Sequence, residues 1–147
     1  MKVKGLDLTK GFPESSRKIY GGLVHLARMR DKARAKGAGT IGEYIFPCPL
    51  DLRLLGVLVI TPDAFYEAAQ KYDDLELESW VKQNAFPRTL EEVKAWNEAF
   101  LGRKPDTPES LQYFQTTLQK VAPNRPDIES WVDLLDLEEG RTVPVRK

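Results

Sequence analysis

The segment from Gly21 to Asp51, GGLVHLARMRDKARAKGAGTIGEYIFPCPLD, gathers the rare reactive side chains of this sequence. It holds the single histidine, His25, the single cysteine, Cys48, and basic residues at alternate positions, Arg28, Arg30, Lys32, Arg34 and Lys36. Two chemistries follow from those types. Guanidinium groups bind phosphate or carboxylate in bidentate fashion, so Arg28, Asp31, Lys32 and Arg34 form a candidate ligand-binding face. Cys48 directly precedes Pro49 and so falls at the start of a helix, where the dipole favours a thiolate nucleophile. With His25 as base and Tyr44 assisting, it would give a small enzyme. The first chemistry leads: the expected function is a non-catalytic binding module for a small anionic ligand or a protein partner. The thiol enzyme built on Cys48 or His25 with Tyr44 is the alternative.

Other site chemistries fit poorly. One histidine and one cysteine do not supply a usual zinc site, and the carboxylates lack EF-hand spacing, so no metal or cofactor is expected. The glycines of Gly37-Ala-Gly39-Thr-Ile-Gly42 follow a helix rather than a strand and are not followed by Lys-Ser/Thr. They read as an interhelical turn, not a phosphate or dinucleotide loop. Trp80, Trp96 and Trp131 sit at core-like positions of their helices.

On a helix turning about 100° per residue, Arg28, Lys32 and Lys36 share one side, with His25 just before them. Leu23, Leu26, Met29 and Ala33 form the apolar side, and Arg30 falls inside that arc. Asp31 is three residues from both Arg28 and Arg34, so an Arg-Asp-Arg ladder is available. A cation aimed at a core needs a carboxylate. The acidic C-terminal helix, with Asp133, Asp136, Glu138 and Glu139, is the expected supply for Arg30 or Arg34.

The elements that must position these residues are helical. The first helix is predicted from about Tyr20 to Lys36, stopped by Gly37-Ala38-Gly39. Pro49 opens a second from Leu50 to about Leu58, where Gly56–Ile60 also suits a buried strand. Thr61, Asp73, Thr89, Thr107 and Asp127 cap the helices that follow, with Glu76 and Glu92 completing capping boxes. Gly102 and Gly140 mark helix ends. The predicted fold is therefore all-α, a single compact bundle of six or seven helices over residues 6–141, with loose termini at 1–5 and 142–147.

Composition narrows the partners. The 147 residues carry 22 basic and 22 acidic side chains, so no global field steers the chain to nucleic acid or to a membrane. A nucleic-acid partner is disfavoured, and the oligomeric state is left open. The N-terminus lacks the apolar core of a signal peptide, and the apolar run from Leu50 to Ile60 is too short to span a bilayer. A cytoplasmic location is expected.

The words GGLVHLARMRDKARA (Gly21–Ala35), GTIGEYIFPCPLDLRLL (Gly39–Leu55) and WVDLLDLEEGR (Trp131–Arg141) resemble those of a bacterial family. That family is a domain of unknown function of about this length, and the resemblance runs from Leu6 to Arg141. It implies a single small domain and carries no activity, cofactor or substrate. Family members tend to have an apolar residue where this chain has Arg30.

Overall fold

A computed structural model describes residues 3–145. Seven helices follow one another: α1 (Leu26–Ala38), α2 (Pro49–Leu58), α3 (Pro62–Lys71), α4 (Asp74–Asn84), α5 (Leu90–Leu101), α6 (Pro108–Val121) and α7 (Trp131–Glu138). No strand forms among the described residues; only an isolated bridge joins Tyr20 and Leu23. The all-α expectation holds, and no helix among those residues is long and apolar enough to cross a membrane.

The start of α1 departs from the sequence reading. Gly21, Gly22 and His25 all take positive φ (61°, 81° and 70°), so the chain turns through the Tyr20–Leu23 bridge before the helix begins at Leu26. At the other end Gly39 adopts the left-handed cap expected of it, with φ 73°. Gly56–Ile60 contributes the end of α2 rather than a strand, and Val59 caps it at φ 57°. Thr61, Asp73 and Thr107 cap α3, α4 and α6 through their side chains. Thr89 and Glu92 exchange the capping-box bonds ahead of α5. The last cap is Ser130, whose hydroxyl accepts the Asp133 N–H. Asp127 instead takes both forks of Arg125, at 3.0 and 2.9 Å.

The chain divides into two compact units, 1–93 and 94–147. In the first, α1 packs on α3 and α3 on α4. Leu26, Met29, Ala33, Leu54, Phe65, Ala69 and Leu77 are fully buried there. Such burial stabilises by about 25 cal/mol per Å² of apolar surface, and it fixes α1 as the inner element of this unit. The N-terminal segment is laced to it. Val3 donates to the Gln70 carbonyl, Leu8 donates to that of Thr40, and the Thr40 hydroxyl donates to Leu6. Gly5 approaches so closely that a Cβ there would lie 2.5 Å from the Arg34 carbonyl oxygen.

In the second unit α6 packs on α7 around Phe114, Leu118, Ile128, Leu134 and Val143. The indole of Trp131 meets Phe114 edge-on, 5.2 Å between centroids. The termini are thus tied down where they are described: residues 3–5 by the contacts above, and Val143 by burial and by Arg125, which donates to its carbonyl at 2.9 Å. Residues 1, 2, 146 and 147, the remainder of the predicted loose ends, lie outside the described residues.

Candidate functional site

The helix expected to offer a charged ligand-binding face turns that face inward. Arg28, Asp31, Lys32 and Arg34 are all buried, so α1 buries charge on several sides and each group must be answered.

Arg34 is answered by the end of α3. Its Nε donates to the Ala69 carbonyl at 3.1 Å, Nη2 to that of Tyr72 at 2.9 Å, and Nη1 to Asp74 Oδ1 at 2.7 Å. A cation at a helix C-terminus also meets the negative end of the dipole. Arg30 lies over the Tyr20 ring at 4.9 Å, bonds Asp31 Oδ1 at 3.0 Å and stands 3.6 Å from Asp74. Asp74, at the start of α4, is therefore the carboxylate that both arginines take. Burial pushes the Asp74 carboxyl up, but the hydrogen bond from Arg34 and the charges of Arg30 and Arg34 outweigh it and hold it below its ordinary value. Asp31 runs the other way: burial raises it, against the pull of Arg30 and of the Glu14 N–H at 2.9 Å.

A cleft of about 270 Å³ opens beside these groups. The N-terminal segment contributes Lys4, Leu6, Phe12 and Glu14; α1 contributes Arg30, Asp31 and Arg34; α4 contributes Asp74. Two of the predicted binding residues, Asp31 and Arg34, are in it. Both are committed to protein partners, whereas the Lys4 ammonium and the Glu14 carboxylate take no hydrogen bond or ion pair among the described residues. Leu6 and Phe12 are about half exposed at its edge. A wider depression of about 600 Å³ lies along α3 between Ala64, Glu67, Tyr72 and Trp80.

The other predicted residues meet elsewhere on α1. His25 is wholly buried, and both ring nitrogens are engaged: Nδ1 with Ser16 Oγ at 2.9 Å and Nε2 with Asp51 Oδ1 at 2.7 Å. Its backbone N–H also donates to the Ser16 carbonyl at 2.8 Å. These bonds hold a non-glycine residue in the left-handed region, where such backbone costs energy unless its surroundings fix it. Asp51, on the first turn of α2, receives the Cys48 N–H at 2.9 Å and the Lys32 ammonium at 2.8 Å on its second oxygen. The Lys32 Nζ donates also to Cys48 Sγ at 3.1 Å. One continuous network therefore runs Ser16–His25–Asp51–Lys32–Cys48.

The charges in it follow from the partners. Burial pushes Asp51 up, but the His25 hydrogen bond, the Lys32 and His25 charges and the Cys48 N–H overcome it and hold the carboxyl at about 2. Burial pushes His25 down, against the pull of Asp51 and with the repulsion of Lys32 and Arg28. A neutral ring facing an ionised carboxylate must place its proton on Nε2. Nδ1 then accepts from the Ser16 hydroxyl. The order Ser-His-Asp is that of a hydrolytic triad, but the Ser16 hydroxyl and the ring are sealed from solvent.

Cys48 is half-buried, and it is joined to His25 through Asp51 and Lys32. The predicted Cys48–His25 pair thus shares one network. The Tyr44 ring lies under the Arg28 guanidinium at 5.6 Å. His25, Cys48 and Asp51 present donor atoms within 4.8 Å of one another, a spacing that could hold a metal ion. The Lys32 ammonium already supplies the cation to Asp51 and Cys48. Ser16, Lys4, Phe12, Glu14 and Asp74 were not singled out by the sequence, because nothing local distinguishes them.

With this geometry in place, the family is plain. The chain belongs to a family described as Domain of unknown function (DUF5069), whose model matches residues 10–141. No curated protein matches the chain.

Proposed function

We propose that this protein is a non-catalytic binding module whose ligand is small and amphoteric, a free amino acid being the simplest example. The cleft beside α1 would receive it, with the ligand's anionic group on Lys4 and Arg30 and its cationic group on Glu14. One observation carries the reading: the cleft offers a cation and a carboxylate that take no bond among the described residues, over the exposed faces of Leu6 and Phe12. Arg34 and Asp74, bonded to each other, and Asp31, held by Arg30 and the Glu14 N–H, serve as its floor, so the polar groups around it are preorganised before a ligand arrives. We place the protein in the bacterial cytoplasm, where a reduced Cys48 and a supply of small charged metabolites suit this role.

Thermal unfolding against a panel of acetate, phosphate, simple amines and free amino acids tests it. Amphoteric ligands are expected to raise Tm, by an amount equivalent to about 2.7 kcal/mol at a hundredfold excess over Kd. Lys4→Ala and Glu14→Gln should each abolish the shift while leaving the unliganded protein within about 0.5 kcal/mol of the parent. An equal response to phosphate and to amino acids would overturn the amphoteric ligand. A panel with no response would overturn the site.

A further inference from the structure

We propose that Lys32 and Cys48 form an oxidative modification site, in which hydrogen peroxide joins Lys32 Nζ to Cys48 Sγ through a single oxygen atom. The inference is independent of the binding cleft. The ammonium of Lys32 is fixed 3.1 Å from the sulfur and 2.8 Å from Asp51, with only 4% of its side chain exposed. Asp51 is itself anchored by His25 and by the Cys48 N–H, so the amine cannot withdraw without taking its positive charge away from a buried carboxylate. Cys48 is half-buried, which leaves the sulfur a route to a small oxidant. The sequence has one cysteine, so no second thiol of the same chain can resolve an oxidised sulfur. The adjacent nucleophile is the lysine nitrogen.

The chemistry balances. One equivalent of peroxide takes the Cys48 thiol to a sulfenic acid and water. A second supplies the remaining two-electron oxidation as the N–O bond forms, so that the sulfenic oxygen becomes the bridge. In total the thiol, the ammonium and two peroxides give Nζ–O–Sγ, three waters and one proton released to solvent. The S–H bond and two N–H bonds break. Nitrogen and sulfur together lose four electrons, and the two peroxide O–O bonds gain them. A direct N–S bond would demand a much closer approach of the two atoms, whereas one intervening oxygen spans nearly the present gap. The product ties α1 covalently to the start of α2 and removes the positive charge facing Asp51.

The test treats the full-length protein with hydrogen peroxide and reads intact mass, then maps peptides. The expected result is a gain of one oxygen less two hydrogens, a crosslinked peptide pair containing Lys32 and Cys48, and full reversal by dithiothreitol. Lys32→Arg keeps the charge and should accumulate only sulfenic and sulfinic products, while Cys48→Ser should gain nothing at this site. Because Lys32→Arg could fold poorly, the mapping of the unsubstituted chain decides the matter by itself. Simple oxygen addition at Cys48 without linkage to Lys32 overturns the proposal. So does loss of two hydrogens alone, or an intermolecular disulfide as the main product.

Discussion

His25 is sealed in the fold as a neutral ring, and that choice has a price in acid. Burial depresses its pKa from the ordinary 6.5, with the charges of Lys32 and Arg28 adding to the effect and Asp51 opposing it. The unfolded chain therefore binds the proton first, and stability present above about pH 6.5 is lost as pH falls through that region. Asp51 adds a second loss: held at about 2 against its ordinary 3.8, its contribution is present above pH 3.8 and disappears as pH falls through about 2. Asp31, raised by burial, acts in the opposite sense, contributing below pH 3.8 and losing that contribution as pH rises through its folded value. Urea unfolding between pH 7 and 4.5 should show a decline that His25→Gln flattens. A variant with the parent's slope would show that the histidine does not titrate as described. The sequence pointed to His25 and Cys48 because rare residues beside glycine turns stand out. It was silent on Ser16 and on the Lys32 contacts, because bonds between positions 9, 16 and 26 residues apart are settled by tertiary folding.

Elements were legible where the signal is local. Thr61, Asp73 and Thr107 cap their helices through bonds to residues three further on, a geometry written in four consecutive letters. The start of α1 was not, since Gly21 and Gly22 are compatible with a helix on paper and leave it only because His25 and the Tyr20–Leu23 bridge turn the chain. Nor was the inward face of α1, because its alternating basic residues follow the pattern of a solvated helix. What buries Arg34 is a neighbouring helix end, and what buries Lys32 is the start of α2. Arg34 of α1 satisfies two carbonyls at the close of α3, so the α1–α3 pair depends on it. Arg34→Met should cost at least about 2 kcal/mol, since a buried acceptor left unpaired costs about 1–3 kcal/mol. It would appear as a lower urea midpoint at unchanged m. Arg34→Lys should recover little, because an ammonium lacks the planar fork that reaches Ala69, Tyr72 and Asp74 together. Full recovery by lysine would mean that charge alone, not the fork, is required.

At the scale of the whole molecule, each unit joins an apolar core to buried charge, with Asp133, Asp136 and Glu139 buried in the second. The first surrounds α1 with buried charge, and its identity comes from polar networks whose members must all be satisfied. The second has a cluster of apolar side chains with Trp131 stacked against it. That cluster was legible in the sequence: Phe114, Leu118, Leu134 and Trp131 follow helical spacing, and apolar periodicity translates directly into packing. Phe114 is the largest side chain buried within that cluster, at 1% exposure. Phe114→Ala removes the ring and its edge-on contact with Trp131, a change that costs about 3–5 kcal/mol in a core that collapses only in part. The loss should be local in its first appearance: amides of α6 and α7 should exchange with deuterium faster, and Trp131 fluorescence should shift as its packed face opens to water. Hydrogen exchange followed by mass spectrometry resolves those segments. If the α6 and α7 amides stay as protected as in the parent, the apolar cluster is not what holds the second unit, and its stability must come from the Arg125–Asp127 fork and the carbonyls of Val143 and Pro144 to which Arg125 donates.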